Sequence, residues 1–424
     1  MKAIGIDLGT TSICGVVIDT VSGEVLKSET VNSNAFIPKN NDWEKVQNVS
    51  IIIEKAKSIV DSFVDDEVAV IGITGQMHGI LYYNENGEAV SELYTWQDGR
   101  GNLPYKDTTY AAYLSSASGY GNVTDFYNRV NGLVPENAVG YCTVHDYLAM
   151  PLTGRKTPLV HTSDAASFGC FDIENNTFSY DCKIDVTSGF DTVGEYKEIP
   201  VSVAIGDNQA SVFSSLASDG DILINVGTGS QVSVISDRPV SGENIESRPF
   251  FDGKFLVVGA ALCGGRAYSV LKDFYSEVFK AAGIENVDVY SVMDKMLESA
   301  DSPLEVDTRF EGTRADPTAS GSISGVRTGN FTPANLTKGV LEGMITELYG
   351  MYSRMNTKKS GIVGSGNGIR KNPQLVSAAE SRFGSEMNIP RHLEEAAYGA
   401  AMYGLVACGK FSFDKVRELI KYNK

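Results

Sequence analysis

Apolar residues in this chain occur in short bursts that stop at glycine, and elsewhere in longer stretches where they recur every three to four positions. The first pattern is that of buried strands and the second that of amphipathic helices, so the chain reads as α/β. Strands are expected over residues 3–8, 68–73, 201–205, 222–226, 255–258 and 362–363. A helix is expected over 43–63, with Val46, Val49, Ile52, Ile53, Ala56, Ile59 and Phe63 on one face. Another is expected over 333–355, where Thr332 stands as an N-cap before a first-turn proline. Further helices are expected over 267–281, 287–297, 373–383, 394–406 and 413–421. The more polar stretch 103–137 gives no clear period.

One pattern occurs twice. Ile6-Asp7-Leu8-Gly9-Thr10-Thr11-Ser12 returns 218 positions later as Ile224-Asn225-Val226-Gly227-Thr228-Gly229-Ser230, and the match runs on through Val16/Val234 to Asp19/Asp237. Each copy reads as a β-hairpin whose Gly/Thr/Ser turn offers backbone N–H and hydroxyl donors. One such turn is an ordinary hairpin, whereas two facing turns can grip a polyphosphate from both sides. An offset of half the chain predicts two similar domains, 1–217 and 218–424, packed closely around a cleft because no long linker separates them.

Composition narrows the chemistry. The 36 Lys and Arg against 53 Asp and Glu give a formal charge of −17, which excludes nucleic acid as the main partner. The six cysteines form no Cys-x-x-Cys pair and lie outside ligand spacing of the four histidines, so a zinc site or redox dithiol is not expected. The N-terminus runs straight into a strand without a signal-peptide core, and no stretch is apolar enough to span a membrane. A cytoplasmic protein with reduced thiols is the expectation. Many of the 43 glycines fall directly after strand-like runs, where bare backbone can approach a ligand.

Four groups of residues carry candidate chemistry. Asp207, in Gly206-Asp207-Asn208-Gln209, lies at a strand-to-helix junction, where the helix dipole favours its ionised form; it reads either as a helix-capping carboxylate or as a general base. Asp7 ends a strand just before the first turn, a place suited to holding Mg²⁺ beside phosphates, and its counterpart is the uncharged Asn225. Gly75-Gln76-Met77-His78-Gly79 and Thr95-Trp96-Gln97-Asp98-Gly99-Arg100 supply directional polar groups and an aromatic face, as a polyhydroxylated ligand requires. The loops Leu262-Cys263-Gly264-Gly265 and Gly364-Ser365-Gly366-Asn367-Gly368 let a flat ring or a phosphate approach the backbone. Walker A, protein-kinase and Rossmann signatures are absent.

In this order, Asp7-Leu8-Gly9-Thr10-Thr11-Ser12, the two polar clusters, Gly206-Asp207-Asn208-Gln209, Gly227-Thr228-Gly229-Ser230 and Gly364-Ser365-Gly366 resemble the motifs of the FGGY carbohydrate kinases over nearly the whole chain. The resemblance implies two actin-like (ribonuclease H-like) ATPase domains flanking a central cleft, the first carrying the sugar site and the base and the second most of the adenosine site. It implies ATP and Mg²⁺ as cofactors, Asp207 as catalytic base and Asp7 as the metal-placing residue. Thr10, Thr11 and Thr228 would hold phosphates, and Gly265, Ser269 and Gly366 would line the adenosine pocket. Gln76, His78, Trp96, Asp98, Asp146 and Asn208 would contact the sugar. The closest likeness is to members acting on a seven-carbon ketose, with five-carbon ketose kinases next, and the resemblance allows a homodimer. The segment between Arg100 and His145 is trimmed relative to the family. Two rival readings stay open: an actin-like ATPase without a sugar substrate, and a sugar-sensing protein without catalysis.

Overall fold

The computed structural model describes residues 1–314, 316–358 and 361–423, and the chain divides into two compact units. The first comprises Met1–Ala217, Arg248–Lys254 and His392–Lys421. The second holds Ser218–Ser247, Phe255–Arg391 and the last strand, Tyr422–Asn423.

The first unit is built around the opening hairpin. Strands Lys2–Leu8 and Ser12–Asp19 pair antiparallel with Leu8 opposite Ile13, burying Ile4, Ile6, Leu8 and Ile13 completely. The sheet runs in the order Thr192–Tyr196, Ile199–Ser202, Val68–Gly75, Lys2–Leu8, Ser12–Asp19, Val25–Asn32, and Ile205–Gly206 also pairs beside Val68–Gly75. Gly15 pairs with Ile6, next to Gly5, so the two glycines point to opposite faces. On one face Gly15 admits Ile59 and Phe63 of the helix Val49–Phe63. On the other, Gly5 and Gly72 bring the strands against the carbonyls of Ala397 and Ala400 in the helix Glu395–Ala407. That helix comes from the far end of the sequence and belongs to the first unit.

The second unit repeats the topology. Its sheet runs Ile245–Pro249, Phe255–Ala261, Ser230–Ser236, Asp221–Val226, Gly361–Ser365, Met387–Pro390, Tyr422–Asn423, with the hairpin antiparallel and Asp221–Val226 parallel to Gly361–Ser365. Here Val226 pairs with Ser230, so this turn is one residue shorter than the first. Ser230 thus takes the place of Ile13, 217 positions on, and the constant offset seen in the sequence breaks at the turn.

Several elements differ from expectation. The helix expected from residue 43 starts at Val49, because Asn48 caps it by accepting the Ile51 N–H at 3.1 Å while Val46–Gln47 pairs with Leu93–Tyr94. The run 201–205 splits into Ile199–Ser202 and Ile205–Gly206. The helix expected over 413–421 is only Phe413–Val416 followed by the 3₁₀ turn Arg417–Leu419. The stretch 103–137 contains the helices Tyr110–Tyr113 and Gly121–Val130, joined by packing among Tyr105, Tyr110, Tyr113, Phe126 and Tyr127. Thr332 caps Pro333–Arg354 as expected, accepting the Asn335 N–H at 3.2 Å. Among the described residues no helix is long and apolar enough to cross a membrane.

Candidate functional site

The strand Ile205–Gly206 feeds directly into the helix Asp207–Ser215. Gly206 is the N-cap and donates its N–H to Ser163 Oγ at 3.0 Å, so Asp207 is the first helical residue and not the cap. The helix start favours the Asp207 carboxylate, but burial outweighs it and raises its pKa. His145, the Asn208 N–H and Arg248 oppose that rise. Arg248 arrives with the inserted segment Arg248–Lys254, and its Nη1 donates to Asn208 Oδ1 at 3.2 Å. Asp7, at the end of its strand, has a buried Oδ1 with no hydrogen-bond partner among the described residues. Burial, then Asp207, then Glu394 push its carboxyl up to about 8. A buried carboxylate oxygen with no donor, beside two more carboxylates, fits a hard divalent cation that takes oxygen ligands.

The turn after Asp7 is tied to the polar clusters by a closed ring of hydrogen bonds. Trp96 Nε1 donates to Thr10 Oγ1 at 2.9 Å, and Thr10 Oγ1 donates to Gln76 Oε1 at 3.2 Å. Gln76 Nε2 donates to Gln47 Oε1 at 2.9 Å, and Gln47 Nε2 returns to the Thr10 carbonyl at 2.7 Å. Gln47 and Gln76 are buried, while Trp96 is 46% exposed. Thr11, the next residue of the turn, is exposed.

His78 stands apart from this ring. It adopts a left-handed φ of 73°, stacks on Tyr120 with centroids 4.3 Å apart, and donates Nδ1–H to the Ser167 carbonyl at 2.8 Å. The neutral imidazole then carries its lone pair on Nε2. Gly119, just before Tyr120, packs without a side chain against the Trp96 carbonyl, which joins the His78 and Trp96 loops through a stretch that had no sequence period.

Asp98 and Asp146, both expected at the sugar, lie in the interior. Asp98 is 1% exposed, and its two oxygens accept from Lys45 N, Arg100 N, Arg100 Nε and Arg100 Nη2, so both are committed to the protein. Arg100 in turn lies over the Tyr94 ring at 4.2 Å. Asp146 is likewise interior: its Oδ2 accepts from Thr143 Oγ1 at 2.7 Å, and it clusters with His145 and Asp164. His145 Nε2 lies 3.0 Å from Asp164 Oδ1, and both side chains are fully buried. Burial drives all three toward neutrality, lowering His145, raising Asp164 well above the carboxylate range and raising Asp146 to about 7. Gln47, Tyr120, His145, Asp164 and Arg248 were not identified from sequence as site residues, because each acquires its meaning from a partner distant along the chain.

In the second unit, Val226–Thr228, Gly265, Arg266, Tyr268, Ser269 and Gly366–Gly368 line a cavity of about 960 Å³ together with Tyr290, Leu341, Met344 and Leu375. The three residues expected to line the adenosine pocket, Gly265, Ser269 and Gly366, are on its wall, and so is Thr228. Gly265 N donates to Gly227 O at 2.9 Å and Arg266 N to Thr228 O at 3.0 Å, so the first N–H groups of the helix Gly265–Ala281 are spent on the turn. Gly366 has φ +82°, and a Cβ there would sit 2.6 Å from the Val226 carbonyl oxygen, which explains why only glycine fits. Tyr268 and Tyr290 stack at 5.9 Å beside the cavity, an aromatic pair that loop-based reading passes over.

Residues 2–106 match the N-terminal domain of the FGGY family of carbohydrate kinases and residues 222–408 its C-terminal domain. The chain is 27% identical to sedoheptulokinase from Mus musculus, over 94% of this chain and 96% of that protein. It is 22% identical to gluconokinase from Bacillus licheniformis, over 98% and 90% respectively. In fold it is similar to xylulose kinase from Rhodospirillum rubrum, with a TM-score of 0.85 at 16% identity, covering 100% of this chain and 93% of that one. A xylulose kinase from Lactobacillus acidophilus gives 0.82 at 17% identity, covering 100% and 93%. The two units carry the actin-like fold of these sugar kinases. With both family domains matched across most of its length, the chain belongs to the FGGY carbohydrate kinases.

Proposed function

We propose that this protein transfers the γ-phosphoryl group of ATP to the terminal hydroxyl of a ketose, with sedoheptulose as the substrate and sedoheptulose 7-phosphate as the product. The observation that carries the reading is the Asp207 carboxylate, part-buried at the head of its helix beside Asn208 and Arg248. Phosphoryl transfer passes through a loose transition state, so the protein contributes mostly positioning and charge neutralisation. Asp207 accepts the proton of the attacking hydroxyl late in that step. Asn208, Gln76, His78 and Trp96 hold the sugar, the last through its exposed ring face. Asp98 and Asp146 serve from behind this wall, Asp98 by fixing Arg100 and the loop that carries Trp96. Thr10, Thr11 and Thr228 supply phosphate donors, and the cavity bearing Gly265, Ser269 and Gly366 takes the adenosine. Asp7 is the residue that would hold Mg²⁺, which when bound neutralises charge on the phosphates. Six free cysteines agree with a reducing, cytoplasmic site of action.

The choice of sugar leans on the sedoheptulokinase relatives, while the xylulose kinases of similar fold favour a pentulose as the second reading. ADP release across sedoheptulose, D-xylulose, D-ribulose, L-fuculose and glycerol separates them. Turnover of sedoheptulose at the highest kcat/KM supports the first reading. A pentulose in that position replaces the substrate and leaves the kinase assignment standing, and ATP hydrolysis indifferent to every sugar removes it.

A further inference from the structure

We propose that the Thr10 hydroxyl couples sugar binding to nucleotide binding by exchanging its single proton between Gln76 and a phosphate oxygen. The inference rests on the reading above, in which Gln76 and Trp96 face the sugar and Thr10 the phosphates.

A threonine hydroxyl has one hydrogen to donate and two lone pairs to accept with. Thr10 spends its hydrogen on Gln76 Oε1 and accepts from Trp96 Nε1. Gln76 is 2% exposed, and its amide is oriented by Gln47, whose Oε1 takes the Gln76 N–H and so keeps Oε1 turned toward Thr10. Gln47 is held in its turn by donating to the Thr10 carbonyl, which also accepts from Ser33 Oγ at 3.1 Å. The ring therefore leaves Thr10 free to choose only where its one hydrogen points. Donating to a phosphate strips a buried carbonyl oxygen of its donor, an unfavourable exchange. A sugar hydroxyl that donates to Gln76 Oε1 removes that penalty. Sugar then tightens nucleotide binding, and by linkage nucleotide tightens sugar binding by the same factor. Trp96 N–H plays a different part, since it donates in either state and does not enter the proton count.

The coupling factor is measured by calorimetry, as the ratio of dissociation constants for the Mg²⁺ complex of the β,γ-imido analogue of ATP without and with saturating sedoheptulose. Another ketose replaces sedoheptulose where the panel shows that one to be turned over. The wild-type ratio is expected to be about fivefold or more. Thr10→Val should bring it within about twofold of unity, Thr10→Ser should restore it, and Trp96→Phe should leave it in place while weakening sugar binding. Gln47→Leu, which frees the Gln76 amide to turn, tests the same point should Thr10→Val fail to fold. A wild-type ratio near unity with a ketose that is turned over overturns the proposal, as does a wild-type-like ratio in Thr10→Val or in Gln47→Leu. If no ketose binds or is turned over, the kinase reading itself has failed, a result distinct from loss of coupling.

Discussion

Among the acidic residues of the first unit, hydrogen-bond partners separate those that shape the site from those that can react. Asp98 has four protein donors, whereas Asp7 Oδ1 has none among the described residues. In the proposed reaction Asp207 is the carboxylate whose base form is used, and burial raises its pKa against the pull of His145, the Asn208 N–H and Arg248. A base is active when deprotonated, so the acid limb of kcat/KM should lie above the ordinary aspartate value of about 3.9. A pH–rate profile with full activity at pH 4 would contradict this. Asp146 makes a second titration prediction. Its folded-state pKa of about 7 exceeds the unfolded value, so the folded protein binds the extra proton and loses stability as pH rises through about 7. Asp146→Asn removes that titration, and from pH 5 to pH 8 its urea-unfolding free energy should improve on wild type by on the order of 2 kcal/mol. At this scale the sequence located the reactive types but not their partners. Arg100 sits two residues from Asp98, yet nothing in the motif told that it would claim both oxygens, and Arg248 reaches Asn208 from forty positions away.

At the scale of elements, close backbone packing fixes where the strands lie. Gly5, Gly72 and Gly399 each meet a carbonyl oxygen of a packed neighbour, those of Ala397, Ala400 and Ala210. A methyl group at any of them collides with backbone, which cannot turn aside as a side chain can. Gly72→Ala should lower stability by about 3 kcal/mol in denaturant unfolding, and an unchanged midpoint would contradict the packing described. Periodicity revealed most helices within two residues of their ends, since a stripe of apolar positions is a local property. It overran at residue 43, where the apolar Val46 belongs to a short strand and Asn48 marks the true start. It also missed the one-residue shortening of the second turn, because Val and Ile fill both registers of a buried hairpin equally well.

For the whole molecule, the duplicated hairpin announced two α/β units of one topology. It could not announce that residues 248–254 and 392–421 rejoin the first unit, because the helix Glu395–Ala407 is apolar nearly all round and carries no mark of which sheet it covers. Tyr398, Ala400, Ala401, Met402, Tyr403 and Leu405 are fully buried, so a chain ending at Arg391 should lose the cooperative unfolding transition of the first unit. The charge of −17 likewise takes on a narrower meaning. In the proposed reaction, hydroxyl donors such as that of Thr10 take the place of a basic surface toward the phosphates. The proposed role of Asp207 as the base of a ketose kinase is tested most directly by ADP release measured with sedoheptulose for wild type and Asp207→Asn. Sugar-dependent release by the wild type, lowered about 10²- to 10⁴-fold in a folded variant that still binds nucleotide, is the predicted result; sugar-dependent release at the wild-type rate in Asp207→Asn would contradict it.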